Sequence, residues 1–101
     1  MVTFLESVQF REILIVEDNP ADAHHIMEAF EHLATKPTIR VVENIVKASD
    51  YLNKKSKYKD CKNPQLILLN SNLPMEDSRK LIKEIKNDGK LKSIPVVIFS
   101  S

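Results

Sequence analysis

The chain has 101 residues, enough for one domain with a modest core and too few for two. Hydrophobic residues make up 43% and charged residues 29%, which excludes the low-hydrophobicity regime of disordered chains. Lys and Arg number 15 against 14 Asp and Glu, so the formal charge of +1 supplies no global field toward nucleic acid or an anionic membrane.

Single residues exclude more. Cys61 is the only cysteine, so an intrachain disulfide and a cysteine metal knuckle are both ruled out, and a reducing cytoplasm is the simplest setting. Gly89 is the only glycine, whereas Gly-rich phosphate loops need several to bring backbone up to phosphate. No apolar run approaches the roughly 18 to 20 residues that span a bilayer.

Residues 1–11 form an N-terminal extension. Phe4, Leu5, Val8 and Phe10 are interrupted by Glu6, Ser7 and Gln9, with no basic leader before them, so the segment does not resemble a signal peptide. Its apolar residues are expected to cover a sheet edge or a helix face. The first strand is Ile13-Leu14-Ile15-Val16. A helix over about 20–35 follows, with Ala23, Ile26, Met27, Phe30 and Leu33 at helical spacing, Asn19 as N-cap and Pro20 at the first helical position. Ile39-Arg40-Val41-Val42, broken by Arg40, has the pattern of an edge strand. Val46, Tyr51 and Leu52 mark a shorter helix over about 45–55, which gives way to a lysine-rich loop over 54–62.

Leu66-Ile67-Leu68-Leu69 is the third strand. Leu81, Ile82 and Ile85 define a third helix, with Asp77 or Ser78 as its cap and Gly89 just past its end. Val96-Val97-Ile98-Phe99 is the fourth strand. Three of the four runs are continuously apolar, the pattern of parallel strands covered on both faces. The alternation of strand and helix predicts an α/β fold with a doubly wound parallel sheet.

In such a sheet the functional crevice lies beyond the carboxyl ends of the strands. The first strand ends in Glu17-Asp18, the third in Asn70-Ser71-Asn72-Leu73-Pro74, and the fourth in Ser100. Two adjacent carboxylates facing amide and hydroxyl oxygens suit a hard cation, and magnesium fits such a set. His24 and His25 point about 100° apart on their helix and so do not chelate one metal, while the lysine run and Cys61 are expected in a solvated loop.

These residues resemble the receiver domains of two-component response regulators. Val16-Glu17-Asp18-Asn19-Pro20 is similar to the acidic pair that carries magnesium there, and Pro95 to Ser100 to the strand whose terminal hydroxyl senses phosphate. The likeness is strongest to the subgroup partnering bacterial phytochromes, in which the acceptor aspartate is followed by Leu-Asn-Leu-Pro and then a Lys-Lys-Asp-Gly turn; here the stretch is Asn70-Ser71-Asn72-Leu73-Pro74-Met75-Glu76-Asp77-Ser78. The resemblance spans residues 12–101 and implies a flavodoxin-like sheet of strand order 2-1-3-4 that lacks the family's fifth, lysine-bearing strand and last helices.

The resemblance also implies that Glu17 and Asp18 hold the metal directly or through water, that Asn72 offers its backbone carbonyl, and that Ser100 bonds a phosphoryl oxygen. Asn70 stands in the acceptor position, and Ser78 replaces the usual turn glycine. A neutral amide is a poor nucleophile for phosphoryl transfer, so the resemblance implies a non-enzymatic pseudo-receiver with weakened magnesium binding. It would act through protein contacts, with a sensor histidine kinase or other signalling proteins as partners.

Three alternatives stand beside this. One is a phosphorylatable receiver whose native aspartate was substituted. Another is a magnesium-dependent phosphotransferase or phosphatase, against which Asn70-Ser71-Asn72 lacks both nucleophile and general acid. The last is a flavin-binding flavodoxin-like protein, which would need a Ser, Thr and Gly phosphate loop after the first strand. With a chain ending at Ser101 the fourth strand becomes an edge, and self-association through 95–100 is expected unless residues 1–10 fold over it.

Overall fold

The structure, a computed structural model, describes residues 10–33 and 35–100. Strand β1 (Glu12–Val16) is followed by helix α1 (Pro20–Ala29), β2 (Thr38–Val42), helix α2 (Ile45–Leu52), a short 3-10 turn (Ser56–Tyr58), β3 (Leu66–Asn70), helix α3 (Met75–Lys86) and β4 (Val96–Phe99). All strand pairs are parallel, and the sheet order is β2-β1-β3-β4. This is the strand order and fold class that the sequence implies.

Alternation of side chains across the strands divides the core into two layers. On one face Ile13, Ile15 and Leu66 pack with Phe30, flanked by Ile26 and Met27 of α1 and by Ile39, Leu68 and Phe10. On the other, Leu14, Val16, Ile67 and Leu69 meet Ala48, Tyr51 and Leu52 of α2 and Leu81 and Ile85 of α3. Helices thus cover both faces, which is why β1 and β3 carry unbroken apolar runs and are almost wholly buried. Of the expected cover from the N-terminal segment, Phe10 packs on the α1 face, while Phe4, Leu5 and Val8 lie outside the described residues.

Three element ends differ from expectation. Helix α1 stops at Ala29 rather than about residue 35. Phe30, Glu31 and Leu33 donate their N–H groups to carbonyls three residues back, so the chain tightens into turns that still deliver Phe30 and Leu33 to the core. Apolar spacing alone does not separate those turns from helix.

Helix α2 ends at Leu52 rather than about 55. Lys54 adopts a left-handed conformation (φ 58°), its N–H donating to Tyr51 O (3.2 Å) while that of Lys55 donates to Asp50 O (2.9 Å). This is a Schellman-type stop built without glycine, so no residue announced it.

Helix α3 begins at Met75 with Pro74 in the cap position and no side-chain cap, so Asp77 and Ser78 lie inside its first turn. The acidic Glu76 and Asp77 there favour the positive end of the helix dipole. Gly89 does not take a left-handed conformation. The turn after α3 is organised by Asp88, whose Oδ1 accepts from the N–H groups of Lys90 (2.7 Å) and Leu91 (3.2 Å). Strand β4 departs from the burial its sequence suggests: at the sheet edge, Val97 is 47% and Ile98 56% exposed.

Candidate functional site

Strands β1 and β3 are neighbours with Val16 paired to Leu69, so the next residues, Glu17 and Asn70, emerge side by side at the carboxyl end of the sheet. Glu17 still holds the sheet, its N–H donating to Val42 O (3.0 Å). Both side chains are 2% exposed, and they are the buried polar residues of the core. Burying a carboxylate is costly unless its oxygens are hydrogen-bonded. Here both are: Asn70 Nδ2 donates to Glu17 Oε1 (2.7 Å), and the Asn19 N–H donates to Glu17 Oε2 (3.1 Å).

The amide is fixed from its other side as well. Asn70 Oδ1 accepts from the Asn72 N–H (2.9 Å), an Asx-type turn that starts the loop leaving β3. Asn19 serves two purposes. Its side chain caps α1 by accepting from the Ala21 (2.9 Å) and Asp22 (3.4 Å) N–H groups, while its own N–H holds Glu17. The sequence identified the cap; the second role was not legible, because it depends on Glu17 folding back over the start of the helix.

Other predicted site residues are spread around this pair. Asp18 and Asn72 are exposed at the mouth of the crevice. Ser100 is exposed and lines a hollow with Asp22, His25, Ile26 and Phe99. A second hollow of about 260 Å³ lies beside Asn70, lined by apolar Leu73, Met75, Ile82 and Ile98 together with Arg79. Asn70 and Ser100 thus line different hollows. The apolar one has no signature in the sequence, because it forms only where the start of α3 passes β4.

The donor set suits a divalent ion only in part. Asp18 is accessible, but both oxygens of Glu17 already accept hydrogen bonds, and Asn70 turns its N–H2 rather than its oxygen toward Glu17. Among the described residues no group of three or more His, Cys, Asp or Glu side chains is placed to hold a metal. His24 and His25 are both exposed, and His24 lies 3.9 Å from Glu28.

No family model matches the chain. It is similar to the response regulator Rcp1 of Synechocystis sp., with 33% identity over 96 residues that cover 95% of this chain and 65% of that protein. It therefore spans just under two thirds of that relative's length. The crystal structure of the Mn(2+)-bound form of Rcp1 superposes with a TM-score of 0.80, covering 89% of this chain and 65% of that one. The phosphorylated cyanobacterial phytochrome response regulator RcpA gives a TM-score of 0.81 at 39% identity, covering 91% and 66% of the two chains. The bacteriophytochrome response regulator AtBRR gives 0.76 at 32% identity, covering 93% and 69%. Sheet order, crevice and these likenesses agree: the chain belongs to the receiver domains of response regulators, in the subgroup that includes the phytochrome response regulators.

Proposed function

We propose that this chain is a pseudo-receiver of two-component phosphorelay signalling: a non-catalytic module that is not phosphorylated at position 70 and acts through protein contacts. The observation that carries this reading is the buried carboxamide of Asn70 in the acceptor position. Phosphoryl transfer needs an anionic oxygen aimed at phosphorus. The Asn70 oxygen is neutral and already accepts from the Asn72 N–H.

Residues 12–101 constitute the receiver-like domain, preceded by an extension over 1–11. A sensor histidine kinase or another cytoplasmic signalling protein is the partner class, through helix and loop surfaces. Magnesium binds weakly at most, through Glu17, Asp18 and the Asn72 backbone carbonyl, and Ser100 retains the hydroxyl that a phosphorylated relative would use. Support for the metal assignment comes from the manganese-bound relative. Unless residues 1–10 fold over it, the exposed strand over 95–100 offers a surface for self-association.

Intact mass after incubation with magnesium and a small acyl phosphate tests the central claim. The expected mass is unchanged, and a stoichiometric phosphoryl adduct on Asn70 overturns the reading. Asn70→Asp run alongside shows whether the remaining residues of the chain support transfer at all.

A further inference from the structure

We propose that the side-chain amide of Asn70 takes the place of the divalent cation, acting as a built-in latch that closes the acidic site. Two neighbours fix its orientation. Turned the other way, Oδ1 would face the Glu17 carboxylate and Nδ2 would face the Asn72 N–H, giving acceptor against acceptor and donor against donor. Only the observed arrangement satisfies all three groups, with contacts of 2.7 Å to Glu17 Oε1 and 2.9 Å from the Asn72 N–H.

The pair lies almost wholly out of water, where such bonds are strong and leaving one unmade is costly. A cation seeking Glu17 must first remove the amide donor. It would gain the Asn70 oxygen only by rotating the amide, which leaves the Asn72 N–H facing an N–H2 group. The two contacts therefore exchange together, and the metal competes with the residue that was expected merely to be a weaker ligand. The latch makes position 70 an inhibitor of metal binding rather than a passive loss. This inference rests on Glu17 being a metal-facing residue, and it is independent of whether phosphoryl transfer fails.

The consequence is counterintuitive. Asn70→Ala, which removes a potential oxygen ligand and adds no charge, should bind metal more tightly than the wild type. The test is titration of wild type, Asn70→Ala and Asn70→Asp with magnesium and manganese alone, without phosphodonor, by 15N NMR and by thermal melting against chelator. The expected dissociation constant falls by about tenfold or more from wild type to Asn70→Ala, the equivalent of one hydrogen bond to a charged group, and falls further in Asn70→Asp.

The wild-type Asn70 side-chain amide protons should exchange slowly and stay unshifted through millimolar magnesium. Wild-type binding as tight as that of Asn70→Ala overturns the latch. So does a freely exchanging Asn70 amide, a reading that needs only the wild-type protein. If none of the three proteins binds metal, the premise that this is a cation site fails and the proposal with it. The mass measurement on phosphorylation would be untouched by that outcome.

Discussion

Two regions of this domain invert the usual rule of burial. At the end of β1 and β3, a carboxylate and an amide are sealed at 2% exposure. On the strand beside β3, at β4, Val97 and Ile98 stand 47% and 56% exposed. The buried polar pair is tolerated because its hydrogen-bonding capacity is met; among the described residues no buried side-chain nitrogen or oxygen lacks a partner. The exposed apolar strand has no such compensation. Among the described residues no strand pairs with its outer edge, and neither charge nor proline interrupts Val96 to Phe99. Partner satisfaction, more than polarity, decides which of the two regions is settled.

The strongest way to break the settled region is Glu17→Ala. It orphans the buried Asn70 amide and removes the acceptor of the part-buried Asn19 N–H, at a cost of about 1 to 3 kcal/mol that comes mainly from the amide. Urea unfolding should show the midpoint fall with little change in slope. Replacing both residues at once, as Glu17→Met with Asn70→Leu, should recover the part of that loss that comes from the stranded Asn70 amide, since both members of that hydrogen bond are gone, while the part-buried Asn19 and Asn72 N–H groups still lose their side-chain acceptors. A double variant as unstable as the sum of the singles would show that the pair is not the unit it resembles.

Asn19→Ala is expected to cost about 1 kcal/mol, the usual worth of an N-cap, while leaving the backbone bond to Glu17 in place. Thermal melting measures it. The opposite layer gives a smaller, pH-dependent effect. Burial pushes the Tyr51 phenol above its ordinary value, with Cys61 adding to the rise. A raised folded-state value means that this contribution is complete below about pH 10 and declines as pH climbs beyond it. Tyr51→Phe should flatten that alkaline slope, and stability measured across the alkaline range reads it directly.

The smallest effect on stability belongs to the exposed strand. Val97→Lys should change unfolding free energy by no more than about 0.5 kcal/mol, because a half-exposed edge position loses little packing. It should nonetheless abolish concentration-dependent association of the 101-residue protein in light scattering, by placing charge on the pairing edge. A wild type that remains monomeric at high concentration removes the need for that explanation.

Much of the architecture was legible because it depends on short-range patterns. Continuous apolar runs marked β1 and β3, Arg40 marked β2 as an edge, and Asn19-Pro20 marked the start of α1. The errors fell where a local device had no sequence signature. Lys54 ends α2 in a left-handed turn where glycine would have been diagnostic. Asp88 rather than Gly89 organises the turn after α3, and Pro74 occupies the cap position expected of Asp77 or Ser78.

The site divides along the same line. From residue order alone came the acidic pair Glu17 and Asp18, the amide at position 70, and their common address at the strand ends, because parallel strands joined by helices bring their carboxyl ends to one side. Sequence could not decide which way the amide faces. That choice was made by two neighbours, the N–H of Asn72 in the next loop and the Glu17 carboxylate, 53 residues from Asn70 in the chain. A hydrogen-bonding residue carries donors and acceptors in its formula, but their assignment belongs to the neighbours that the fold supplies.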